Sequence, residues 1–249
     1  MPIITIANQK GGVGKTTTAI TIAHGLALLG KEVLVIDLDP QGQCATLLGM
    51  KQEPGIFGIL IQELPLKTWT RYTNREHLWL IPGNNKSALA ATIMSVTSTT
   101  ISKLKDILRP VLRSGLQYVI VDTAPSVGDL QAQGLYAADH ILIPTACDFA
   151  SSQGVVKLIQ TMSILAEEHY WTGTLIGILP TFYDGQTRET KATLEDLNAN
   201  FPNILPPIHR ATILRECMAN GKTIFELAPR DRAAEEYQTI IKYIQKVTR

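Results

Sequence analysis

The opening stretch of the chain constrains its fold more than any other feature. A short apolar run, Ile3 to Ala7, passes into Asn8-Gln9-Lys10-Gly11-Gly12-Val13-Gly14-Lys15-Thr16-Thr17-Thr18 and on into helical spacing from Thr16 to Leu29. A glycine-rich turn between a strand and a helix aims several backbone N–H groups at one point, and the helix N-terminus adds its positive end. Gly11, Gly12 and Gly14 allow the torsions and the close approach that a phosphate needs. Lys10 through Thr17, with Val13 and Thr17 included, is therefore expected to cradle a nucleotide. Lys15 reaches the β- and γ-phosphates, and the Thr16 hydroxyl is placed for Mg²⁺. The usual pattern asks for glycine at position 9; this chain has Gln9 there and a second lysine, Lys10, just before the glycines.

The rest of the chain has the matching rhythm. Val33 to Ile36, Tyr118 to Val121, His140 to Ile143 and Leu175 to Leu179 are short apolar runs without alternation, as expected of strands covered on both faces. Between and after them, helical spacing appears at Ile101–Leu112, Ser151–Glu168, Arg188–Asn198 and Asp231–Val247. Strands alternating with helices predict a doubly wound, mostly parallel α/β sheet in three layers, α/β/α, over one P-loop domain spanning 1–249. The stretch Gly49 to Asn85, broken by Pro54, Pro65 and Pro82, reads as an insertion of short elements. With 45% hydrophobic and 18% charged residues the composition is globular, and a net charge of +1 neither demands nor excludes a nucleic-acid partner. The N-terminus lacks the basic region of a signal peptide, and no apolar run approaches the roughly 20 residues of a membrane span. The odd count of three scattered cysteines argues against a disulfide framework, so they are read as small residues without special chemistry. These features predict a cytoplasmic protein.

Ligands of such sheets sit beyond the carboxyl ends of the strands. The second strand runs into Asp37-Leu38-Asp39-Pro40, where two carboxylates point the same way if the chain stays extended. One is expected to orient the attacking water, and the other to hold a metal-bound water or the loop. The third, Tyr118-Val119-Ile120-Val121-Asp122, ends on an acid placed to hold Mg²⁺. Pro125 and Ser126 are expected to shape a loop near the γ-phosphate.

Together these pieces resemble the ParA family of P-loop ATPases with a "deviant", lysine-bearing loop. The resemblance rests on Lys10 to Thr17, Asp37 to Gly42 and Asp122 to Ser126. It continues through Ala138-Asp139, Ile143-Pro144-Thr145, Thr181-Phe182-Tyr183-Asp184 and Gly221-Lys222-Thr223-Ile224, and so covers essentially the whole chain. It implies an ATP- and Mg²⁺-dependent ATPase that forms a sandwich homodimer. Lys10 would reach the partner's phosphates. Lys10, Lys15 and Asp39 would be the catalytic set, and Thr16, Asp39 and Asp122 would surround the metal. The resemblance further implies non-specific DNA binding at the nucleoid, and an adaptor of ParB or McdB type that stimulates slow hydrolysis. The cargo would be a plasmid, a chromosome, a protein cluster or an organelle such as a carboxysome. A start at the P-loop strand matches the small members without an N-terminal helix-turn-helix.

Thr181, Phe182 and the Ile208–Arg210 turn, with Arg210, are the expected base pocket. This chain has His209-Arg210 where many members have Pro-Arg, and Ile213 where many place an arginine. Arg188, Arg215, Lys222, Arg230, Arg232 and Lys246 are the candidate DNA contacts. The alternative is a membrane-surface ATPase like MinD. Tyr237, Ile240, Ile241, Ile244 and Val247 instead read as one core-facing stripe, with no turns left for a membrane. A reductase carrying an iron–sulfur cluster would need cysteines in a spacing this chain lacks.

Overall fold

The computed structural model describes every residue except Ser114, Val127, Phe149, Ala150 and Arg249. Its centre is a seven-stranded sheet in the order β3-β4-β2-β5-β1-β6-β7. The strands are β1 (Ile3–Ile6), β2 (Val33–Asp37), β3 (Arg71–Arg75), β4 (Leu78–Ile81), β5 (Tyr118–Asp122), β6 (His140–Ala146) and β7 (Thr174–Thr181). Every neighbouring pair is parallel except β3 with β4. The mostly parallel α/β/α reading therefore holds.

Continuous apolar strands work because both faces are covered. Ile4, Ile6, Val33, Val35 and Ile120 pack under α1 (Lys15–Leu28) and α12 (Arg232–Val247). Their alternates Ile3, Leu34, Ile36, Val119 and Val121 pack on the other face, with Ile59, Met94, Leu104 and Leu130. Those four residues come from α3 (Phe57–Leu60), α5 (Lys86–Val96), α6 (Lys103–Leu108) and α7 (Asp129–Ala137). At the far side, α8 (Ser151–His169) covers Ile141, Ile143 and Ile178 with Val155, Leu158 and Leu165.

Three expectations change. The stretch Gly49–Asn85 is more than an insertion, because β4 pairs in parallel with β2 and extends the sheet. The helix expected over Ile101–Leu112 is α6 followed by a 3₁₀ turn, Arg109–Arg113. Pro110, without an N–H, explains the break. Val247 is 39% exposed, so the core-facing stripe of α12 ends at Ile244. Tyr237, Ile240, Ile241 and Ile244 are buried as expected. No helix among the described residues is long and apolar enough to cross a membrane.

The sheet order places the site. From β1 the chain passes over β5 to reach β2, and from β5 it passes over β1 to reach β6. Where connections leave in opposite directions, a crevice opens beyond the carboxyl ends of the strands. The loops after β1, β2 and β5 all meet there.

Candidate functional site

The loop between β1 and α1 is anchored before it turns. The Asn8 carboxamide donates to the Pro144 carbonyl at 2.8 Å, and its oxygen accepts the Lys10 N–H at 2.9 Å. Gly12 and Gly14 have φ of +72° and +85°, the left-handed region that a β-carbon disfavours. Gly14 caps α1, so the next N–H groups face the crevice. The Lys15 side chain folds back over the loop, and Nζ donates to the Lys10 carbonyl at 3.0 Å. Burial holds the Lys15 ammonium below its usual pKa, while the Asp122 and Asp39 carboxylates pull the other way. A buried cation at a ring of N–H donors is an anion site.

Lys10 is engaged within its own protomer. Its ammonium donates to Asp148 Oδ1 and, at 2.9 Å, to the Ser151 hydroxyl at the start of α8. Sequence reading missed both partners, which lie far along the chain.

The two carboxylates of the β2 loop differ from expectation. The chain does not stay extended after Asp37. Asp37 Oδ1 accepts the Asp39 N–H at 2.9 Å and Oδ2 accepts the Cys44 N–H at 3.1 Å. This Asx-type turn separates a fully buried Asp37 from a half-buried Asp39. Asp39 accepts from the Gln41 N–H at 2.9 Å. Burial, with Asp122 beside it, pushes the Asp37 carboxyl well above the usual carboxylate range. Asp37 thus holds the loop, and Asp39 is the carboxylate left facing the crevice.

Asp122, at the end of β5, is fully buried, and its Oδ1 has no hydrogen-bond partner among the described residues. Burial raises its pKa to about 6, opposed by the Thr16 hydroxyl, the Cys44 thiol and the Lys15 ammonium. An unpartnered buried carboxylate oxygen next to a threonine hydroxyl is a donor set that fits Mg²⁺, which prefers hard oxygens. Pro125 lies against Gly11: a β-carbon on Gly11 would sit 4.0 Å from its ring. Ser126 is exposed.

A cavity of about 360 Å³ adjoins the loop, lined by Gly12, Gly14 and Thr17 together with Thr181, Phe182, Ile208 and Arg210. The expected base-pocket residues are thus brought together. Thr181 donates to the Val13 carbonyl at 2.9 Å, which ties β7 to the loop. Phe182 has a φ of 54°, and a β-carbon on Gly14 would meet its ring edge at 3.7 Å. The opposite wall comes from α10 (Ile213–Asn220) through Leu214, Arg215 and Met218, and from Tyr237. Of these, the sequence singled out Arg215, as a candidate DNA contact, and Tyr237, as part of the core-facing stripe of the last helix, but neither as a cavity wall. His209 donates its N–H to Glu236 Oε2 at 2.9 Å, and its Nδ1 lies 2.7 Å from Oε1.

The six candidate DNA contacts are all exposed but share no single face. Arg232 lines a second hollow with Gln186 and Arg210, and Arg188 starts α9 (Arg188–Asn200) two residues after Gln186. Arg230 lies just before α12, near that end. Lys246 lies fourteen residues beyond Arg232 on α12, roughly 21 Å away at 1.5 Å per residue. Lys222 follows Gly221, whose carbonyl is bound by Arg75 at 2.9 Å, away from the hollow.

A family profile described as "AAA domain" matches residues 1–172. The sporulation initiation inhibitor protein Soj of Bacillus subtilis is 34% identical over 97% of both chains. The chromosome-partitioning ATPase Soj of Thermus thermophilus is 35% identical over 97% of this chain and 94% of its own. Among solved structures, apo McdA of Cyanothece superposes with a TM-score of 0.88 at 22% identity, over 98% of this chain and 99% of its own. A Mycobacterium smegmatis structure described as cobyrinic acid a,c-diamide synthase with bound ADP and magnesium gives 0.85 at 27%, over 99% and 94%. With relatives this similar along nearly its whole length, the chain belongs to the ParA/Soj family of P-loop ATPases.

Proposed function

We propose that this protein binds MgATP in the crevice described, dimerises across it, and hydrolyses ATP slowly in a cycle that distributes a DNA cargo. The observation that carries the reading is the convergence of Lys15, Thr16, Asp39 and Asp122 beside a cavity of base size. In this reading Gly11 to Thr17 hold the phosphates through backbone N–H groups and the Lys15 ammonium. Thr16 and Asp122 hold the metal. When bound, Mg²⁺ neutralises charge on the β- and γ-phosphates. Asp39 orients a water for in-line attack. Phe182, Leu214 and Met218 sandwich the base, with Arg210 and Arg215 at the rim.

Lys10 supplies the dimer chemistry. Two cationic loops facing each other repel unless the γ-phosphate lies between them. Leaving Asp148 and Ser151 for the partner's phosphates would make dimerisation a readout of ATP. The dimer then binds duplex DNA without sequence preference through Arg188, Arg230 and Arg232, and an adaptor of ParB type accelerates turnover. Relatives named for chromosome partitioning at 31–35% identity favour a chromosome or plasmid as the cargo. The likeness to McdA at 22% carries the fold and not the carboxysome.

Asp39→Ala tests the reading. Light scattering behind size exclusion, with phosphate release in parallel, should show an ATP-dependent dimer in the wild-type protein. The variant should form a longer-lived one, with turnover reduced at least tenfold. A variant that turns over normally would remove Asp39 from the reaction. A wild-type protein that stays monomeric with ATP would remove the sandwich.

A further inference from the structure

All three cysteines are buried, yet their surroundings differ. Carboxylates lie near Cys147 (Asp148) and Cys217 (Glu216, Glu226 and Asp231) as well, but among the described residues it is the Cys44 thiol that sits at hydrogen-bonding distance from one. The Cys44 thiol, at the second position of α2 (Gln43–Leu47), lies 3.4 Å from Asp122 Oδ2. One ligand atom each from Asp37, Cys44 and Asp122 falls within 4.8 Å of the other two, and all three residues are fully buried. Among the described residues, the remaining Asp122 oxygen, Oδ1, has no hydrogen-bond partner. A buried carboxylate oxygen without a partner is costly unless something cationic satisfies it.

We propose that Asp37, Cys44 and Asp122 form a buried site for a thiophilic divalent cation of the zinc and cadmium class. Magnesium needs hard oxygens in near-octahedral geometry and gains nothing from sulfur. Zinc-class ions take thiolate at about 2.3 Å and carboxylate at about 2.0–2.2 Å in tetrahedral sets, so donors a few ångströms apart suit them. On binding, the Cys44 thiol and the Asp37 carboxyl, which burial holds above the usual carboxylate range, both release their protons to solvent, and one thiolate and two carboxylates face the dication. A water can complete the set. The Lys15 ammonium nearby offsets the excess negative charge. Both carboxylates are already fixed: Asp37 by the Asp39 and Cys44 N–H groups, Asp122 by its place at the end of β5. The site is therefore largely preorganised. Because it uses Asp122, its ion competes with the magnesium of the proposed ATP cycle and makes the protein sensitive to soft metals. The cation site shares that residue with the MgATP reading but does not rest on it.

Cadmium is the probe. The metal-free, nucleotide-free full chain is titrated with Cd²⁺ while the thiolate-to-cadmium charge-transfer absorption is followed in the ultraviolet. One Cd²⁺ per chain should produce the band. Cys44→Ala and Cys44→Ser should lose it and bind Cd²⁺ at least about tenfold more weakly. Cys147→Ala and Cys217→Ala should keep it. Circular dichroism and calorimetry with MgATP report separately on folding and on the nucleotide site, so failure of the ATP reading leaves the cadmium result legible. Cys44→Ser, close in size to cysteine, guards against a fold lost with Cys44→Ala. No band in the wild-type chain, or a band that persists in a folded Cys44 variant, would overturn the proposal.

Discussion

His24 is a buried histidine in α1. Its Nδ1 lies 2.6 Å from the Thr223 hydroxyl, and its ring stands edge-on to Phe225. Burial lowers its pKa from 6.5 to about 4, with Arg75 adding to the effect and Glu226 opposing it. The folded state therefore favours the neutral ring. That preference is fully present above pH 6.5 and is lost as the pH falls through about 4, where the buried ring must accept a proton. At 1.36 kcal/mol per pKa unit, this one group withdraws up to about 3 kcal/mol across that window. Urea unfolding at pH 7 and at pH 4 should show a smaller loss in His24→Asn than in the wild-type chain. Equal losses would assign the acid sensitivity to other groups. Lys15 has a different kind of consequence. Removing the buried ammonium from the phosphate loop should weaken ATP binding by at least about 2 kcal/mol, roughly thirtyfold. Isothermal calorimetry of Lys15→Ala reads this directly, and near-wild-type affinity would mean the phosphates bind elsewhere.

Among the elements, α1 and α12 cross at Gly25. A β-carbon there would collide with Ile241 Cδ1 and lie 3.0 Å from Phe225 Cε2. Alanine asks the flexible end of Ile241 to move and the Phe225 ring to give by a few tenths of an ångström. Gly25→Val asks two helices to separate and should destabilise the protein by about 1–3 kcal/mol by chemical denaturation. An unchanged midpoint would show that the crossing has slack. What could be read in the sequence follows the same physics. Strands β1, β2, β5, β6 and β7 were legible because burial on both faces writes continuous apolar runs. Strand β3 was not, since Arg71–Arg75 is a polar edge whose pairing with β4 is antiparallel. Helix α7 hides behind Gln131 and Gln133, buried glutamines that bond to Ala124, Thr100 and Leu104 instead of showing an apolar stripe. Helix α10 buries fully only Cys217, so its role as a cavity wall is decided by tertiary packing. That the glycine loop, Asp39 and Asp122 fall at the ends of β1, β2 and β5 was legible, because strand-loop-helix spacing fixes those positions locally. Asp148 beside Lys10 and the Cys44 thiol beside Asp122 were not, because 138 and 78 residues separate those pairs.

For the whole molecule, the proposed cycle requires two copies and a duplex to come together. Non-specific DNA binding by a chain of charge +1 has to come from local cations. Arg188→Glu should weaken ATP-dependent duplex binding and lower the slope of log affinity against log salt by about one. Fluorescence anisotropy across a salt series measures it, and an unchanged slope would take Arg188 out of the interface.

The central claim is that ATP joins two protomers through Lys10 acting in trans. The sharpest measurement is phosphate release from a mixture of two inactive variants. Lys10→Ala keeps an intact Lys15 site but lacks the crossing lysine. Lys15→Ala cannot bind ATP productively but supplies Lys10. If Lys10 works across the interface, mixing should restore turnover at the one intact site, up to about half of the wild-type rate per dimer if the sites act independently. If mixed dimers form and no hydrolysis returns, Lys10 acts only in its own protomer beside Asp148, and the account of dimerisation as a readout of the γ-phosphate is wrong.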